Sequence, residues 1–71
     1  MKKLYCIRDV LAEDTYPIFG ANNDHVAKKY FVDGITKNEL KVEDFRLYHV
    51  GDFDETMMII EASSSPREVI I

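Results

Sequence analysis

A single cysteine, Cys6, stands in a chain of 71 residues, and the two facts together limit what can hold a fold together. One thiol cannot close an internal disulfide. The chain is therefore no disulfide-stapled secreted scaffold, and a reducing compartment is the default expectation. One Cys and two widely spaced His, His25 and His49, do not build a zinc site either. Apolar burial must do the work. A folded chain of 8.2 kDa exposes about 4,500 Å² against about 11,900 Å² when open, so only about 60% of its surface is hidden. That allows one domain, residues 1–71, and excludes a two-domain enzyme or a core enclosing a large cofactor. With neither metal nor disulfide, self-association is the remaining natural support, and a homodimer is expected.

The balance of 46% hydrophobic and 31% charged residues is that of a globular domain. A net charge of −4 argues against coating nucleic acid by bulk positive charge. The start, Met1-Lys2-Lys3, resembles the charged opening of a signal peptide. The apolar run Leu4 to Ile7 is then broken by Arg8-Asp9, so no signal core follows. No stretch approaches a membrane span, and no membrane partner is expected.

Hydrophobic periodicity predicts the elements. Residues 3–11 read as a strand, with Tyr5 and Ile7 on one face and Leu4, Cys6 and Arg8 on the other. Ala12 to Tyr16 read as an acidic loop, and Pro17 opens a short edge strand through Ala21. Asn23 is the predicted N-cap of a helix that runs to about Asp33 and ends at Gly34. Its apolar stripe is Val26, Ala27, Tyr30 and Phe31. Residues 35–41 read as loop. Val42 to Asp44 form a single turn before a strand at Phe45 to Val50. Gly51 to Glu55 read as a hairpin turn into a strand at Thr56 to Ala62. Met57 to Ile60 are apolar on both faces, which suits a central or doubly covered strand. Ser63 to Pro66 break it, leaving residues 63–71 as a flexible or partner-pairing tail, or an added strand. The fold class is α+β: an antiparallel sheet of four to five strands with one helix on one face, in the order β-β-α-β-β.

No phosphate loop, nucleophile elbow or metal-binding helix motif occurs. A Cys6–His49 dyad requires both residues on neighbouring strands and one face. Core and half-exposed strand roles explain them better. Asp52-Phe53-Asp54-Glu55 lacks the length and glycine of a calcium loop and reads as a solvated turn. No enzymatic activity and no cofactor are expected.

Single-stranded nucleic acid is recognised by cations tracking phosphates and aromatic faces stacking bases. The candidate cations are Lys2, Lys3 and Arg8 on the first strand, Lys28 and Lys29 on the helix, and Arg46 on the third strand. Tyr5 and Tyr48 are the candidate stacking residues, with Phe53 a further aromatic among them. Arg46 and Tyr48 fall on the same face of their strand. Two plainer roles compete: Tyr48 packing across the sheet, and Lys28-Lys29 forming only the wet side of the helix.

Three blocks resemble the small nonstructural protein of gokushovirus-type microviruses. They are Leu4-Tyr5-Cys6-Ile7-Arg8-Asp9; Pro17-Ile18-Phe19 with Asn23-Asp24, Val26-Ala27 and Phe31; and Glu43 through Asp54. Val42 departs from the proline often found before Glu-Asp-Phe, and Thr36 to Lys41 is a short connection. The resemblance implies a DNA-binding protein of a single-stranded DNA phage, acting in the bacterial host cytoplasm during genome replication and packaging. Its implied partners are single-stranded DNA and other phage proteins. It brings no catalytic or base-contacting residues, so the candidate contacts rest on the physical pattern alone. The competing reading is a protein-interaction module, an assembly or host-takeover factor using a sheet edge and the apolar tail.

Overall fold

The computed structural model describes residues 1–71. It is the α+β arrangement of one helix against one antiparallel sheet. Five strands form the sheet: β1 (Lys2–Asp9), β2 (Asp14–Thr15), β3 (Phe19–Ala21), β4 (Phe45–Asp54) and β5 (Ile59–Val69). Helix α1 (Asp24–Lys37) follows β3, and a 3₁₀ turn (Val42–Asp44) leads into β4. The strand order is β2-β1-β4-β5, with β3 also on β1. No helix is long and apolar enough to cross a membrane.

β1 is central and pairs along both sides. Tyr5 opposes His49, Cys6 opposes Tyr48, Ile7 opposes Leu47 and Arg8 opposes Arg46. Its other side is shared by two short strands, because Pro17 interrupts what would be one. Arg8 and Asp9 pair with β2, and Lys3 to Tyr5 pair with β3. A proline has no N–H for the ladder, so an interrupted edge is its natural place. The strand ends at Asp9 rather than Leu11. There Asp9 Oδ1 accepts the N–H groups of Leu11 and Ala12, and Glu13 adopts φ 55° to complete the turn. β2 thus lies inside the stretch expected to be loop.

The helix begins as expected: the Asn23 side chain accepts the Val26 N–H at 2.9 Å. It does not end at Gly34. Ile35 extends the buried row Ala27, Phe31, Ile35 at i, i+4 spacing. Burying an isoleucine contributes about 1.5–3 kcal/mol, more than the ~1 kcal/mol that glycine costs inside a helix. The turn is instead closed at Asn38, whose side chain donates to the Gly34 carbonyl, and Glu39 takes φ 59°. Tyr30, expected in the stripe, is 55% exposed and meets Phe19 edge-on. The core comprises Tyr5, Ala21, Phe45, Leu47 and Val69 from the sheet with the three helical residues.

The β4–β5 hairpin differs most from expectation. β4 runs four residues past Val50, and the turn lies at residues 55–58, where Asp54 Oδ1 accepts the N–H groups of Thr56 and Met57. Ser63 to Pro66 do not end β5. The register shifts across them, from Gly51–Ala62 to His49–Arg67, and pairing resumes to Leu47–Val69. Residues 63–69 are therefore part of β5 rather than a loose tail, and Val69 is buried. β5 is an edge strand, so Met57 to Ile60 are exposed instead of covered.

Gly51 sits inside this hairpin with no room for a side chain: a Cβ there would lie 2.5 Å from the Glu61 carbonyl oxygen. Gly51→Ala is expected to destabilise the protein by about 1–3 kcal/mol in urea unfolding, since the obstacle is backbone. Gly34→Ala, with nothing within 4 Å, is expected to stabilise it by about 0.5–1 kcal/mol. The opposite ranking of the two variants would contradict these hairpin and helix boundaries.

Candidate nucleic-acid interface

One helix covers one face of the sheet and leaves the other without a layer. Alternation along β1 decides which residues go where. Tyr5 and Ile7, with Leu47, His49 and Val69 beside them, face the helix. Lys2, Leu4, Cys6 and Arg8 face away, and their cross-strand partners Phe53, Gly51, Tyr48 and Arg46 share that open face. β4 carries an extra residue at Val50, where the register with β1 shifts between Leu4 and Tyr5. This bulge keeps Tyr48 and Phe53 on one face although they differ in parity.

The predicted site residues divide accordingly. Arg8, Arg46 and Tyr48 come together at one end of the open face. Arg8 and Arg46 are directly opposite each other, and Tyr48 is the next open-face residue along β4. Neither arginine has a carboxylate partner within 4 Å: Arg8 donates to Thr15 Oγ1 at 2.9 Å, and Arg46 to the carbonyls of Glu43 and Phe45. Like charges opposed across a ladder are destabilising. Tyr48, Arg8, Cys6, Thr15, Val50 and Pro66 line a shallow depression of about 310 Å³. At the other end of the face, Lys2 stands opposite Phe53 and reaches Glu55 at 3.7 Å. The face thus holds a cation with an aromatic at each end, about 15 Å apart along β4 at the usual strand rise.

The remaining residues go elsewhere. Tyr5 is fully buried, so its ring is not available for stacking. Lys3 points to the helix face, opposite Ala21 and Asp52, where it lowers the pKa of Asp24. Lys28 and Lys29 belong to the helical layer, which packs against the other side of the sheet. Phe53, rather than Tyr5, is the second aromatic of the open face. The sequence already offers Phe53 as a further aromatic, and the continuation of β4 past Gly51 is what places it on this face. Thr15, which orients Arg8, lies in a stretch that reads as loop.

The acids are partitioned as well. Among strand carboxylates, Asp9, Asp14, Asp52, Asp54 and Glu61 follow the helix-face parity, and Glu68, opposite Tyr48, is the one on the open face. A basic face therefore coexists with a net charge of −4.

Cys6 and His49 lie on opposite faces, so they form no dyad. Burial pushes the Cys6 thiol up, which keeps it protonated and weakly nucleophilic. His49 instead bonds Asp52 through Nε2 at 3.1 Å and packs on the Tyr5 ring.

Behind the face, Tyr5 donates its hydroxyl to Asp24 Oδ1 at 2.6 Å, and Arg67 Nη2 reaches the same oxygen at 3.2 Å. Burial, then the ionised Asp24, holds the Tyr5 phenol far above its ordinary range. The Tyr5 bond, followed by the Arg67 bond, holds the Asp24 carboxyl below the usual carboxylate range.

These features define a small single-helix α+β protein whose sheet is covered on one side and basic and aromatic on the other. The chain matches the family described as phage ORF5 protein over residues 2–71, and it belongs to that family. It is a bacteriophage protein. No curated protein and no solved structure matches it.

Because the Asp24 carboxyl is held below its unfolded value, its contribution is fully present above about pH 4 and is lost as pH falls through the folded value. Urea unfolding followed downward from neutral pH is expected to show this loss, and Asp24→Asn to fall less steeply. An equally steep fall in Asp24→Asn would place the acid sensitivity on other carboxylates.

Proposed function

We propose that this phage protein binds single-stranded DNA without sequence preference, in the host cytoplasm, while the genome is replicated and packaged. The observation that carries the reading is the Arg8–Arg46 pair. Two arginines paired across the ladder, neither with a carboxylate partner, beside a tyrosine on an uncovered sheet face, suit a strand whose phosphates they meet and whose base stacks alongside. The resemblance to gokushovirus-type nonstructural proteins supports the genome-handling context. In this reading Arg8, Arg46 and Lys2 meet phosphates, and Tyr48 and Phe53 stack bases. Lys28, Lys29 and Lys3 stand outside the interface, and Tyr5 supports it from the core.

Fluorescence anisotropy of a labelled oligonucleotide tests this. Three phosphate contacts predict a slope of about −2 in log affinity against log salt, at ~0.7 per contact for single strands. Arg46→Ala is expected to weaken binding and reduce the slope by about 0.7. Tyr48→Ala is expected to lose about 1–3 kcal/mol with the slope unchanged. Lys28→Ala and Lys29→Ala are expected to leave both unaltered. Absence of binding at low salt by folded protein would overturn the proposal.

The competing reading, a protein-interaction module, draws on different atoms: the exposed edge of β5 and the terminal Ile70 and Ile71, 69% and 57% exposed. It predicts no salt-dependent oligonucleotide binding and no effect of Tyr48→Ala.

A further inference from the structure

We propose that residues 57–62 at the outer end of the β4–β5 hairpin are the interface with a second copy of this chain, the two β5 edges pairing antiparallel. The molecule has two sheet edges, and they are not alike. The β2/β3 edge is short and interrupted at Pro17. β5 is blunted over its second half by the register shift, Pro66, Arg67 and Glu68. Prolines, charges and irregular strands are the usual protection of an edge. Ile59 to Ala62 has none of these except Glu61, and it pairs regularly with β4 on its inner side. Its outward backbone N–H and C=O groups are free to accept another strand.

The same short segment is the most exposed apolar run of the chain. Met57, Met58, Ile59 and Ile60 are 63%, 80%, 49% and 66% exposed. The hairpin carries them away from the core, which gives the molecule extents of 38 × 21 × 18 Å. The total surface of 5138 Å² exceeds by roughly 600 Å² what an 8.2-kDa monomer usually exposes. That excess approaches the ~800 Å² that each partner buries in a standard interface.

A second copy is the occupant these facts favour. Antiparallel pairing is two-fold symmetric, so one strand is its own complement and the contact closes as a dimer. The two-fold axis then runs perpendicular to the sheet, which places both open faces on one side and both helices on the other. The dimer does not depend on the DNA reading, and its test uses no nucleic acid.

Sedimentation equilibrium and light scattering of the full chain are expected to give twice the 8.2-kDa mass at about 100 µM. The double variant Ile59→Lys/Ile60→Lys is expected to raise the dimer dissociation constant at least about tenfold while keeping its circular dichroism spectrum. Tyr30→Lys, on the exposed flank of the helix, is expected to leave the constant unchanged. Hydrogen exchange of the unaltered chain is a check independent of substitution: the amides of residues 59–62 should slow as concentration rises. A monomer at about 100 µM would overturn the proposal and leave the strip to a different partner. A dimer that is lost in Tyr30→Lys but kept in the double variant, or concentration-independent exchange at residues 59–62, would do the same.

Discussion

One carboxylate oxygen ties the three parts of this molecule together. Asp24 Oδ1 accepts from the Tyr5 hydroxyl of the central strand and from the Arg67 guanidinium of the edge strand, and Asp24 itself opens the helix. Its charge complements the helix N-terminus, where backbone N–H groups are unpaired. It also gives the hydroxyl of a fully buried tyrosine the partner that burial demands. The Arg67 contact joins the helix start to β5 beyond the register shift, adding to the β4 ladder and the burial of Val69 there. Removing the carboxylate would therefore affect burial, helix start and edge together.

That junction also explains why the sheet has one dry face. With Tyr5 anchored under the helix start, strand alternation sends Cys6 and Arg8 to the opposite side. The matched registry of β4 carries Arg46 and Tyr48 with them. The acids mostly follow the helix-face parity or occupy turns, where they accept backbone N–H groups, as Asp9 and Asp54 do. Net charge is a sum over the chain. Its distribution between two faces is what a ligand meets.

Much of the fold is legible in the sequence because it follows from local chemistry. Asn23 caps the helix, Phe45 and Leu47 alternate inward, and Arg46 and Tyr48 alternate outward. The departures lie where burial overrides a residue's local preference. Gly34 looks like a helix end, yet Ile35 has a core position to fill. Gly51 looks like a turn, yet its missing side chain lets β5 approach closely. Ser63 to Pro66 look like a break, yet Val69 beyond them completes the core, so the strand shifts register and continues. Met57 to Ile60 look like a central strand, since composition does not reveal which strand lies at the edge.

The sequence by itself determined a small α+β fold without a disulfide, the helix start, and the parity of side chains within each strand. Parity is a property of neighbouring residues, so it can be read without knowing the neighbours in space. Only the tertiary structure decided which parity is covered, that Arg8 stands opposite Arg46, that Tyr5 is core while Phe53 lies half-buried on the open face, and that β5 is the open edge. Those outcomes depend on registry between strands and on where one helix can pack. Both are settled by burial between residues far apart in the chain, which no local pattern encodes.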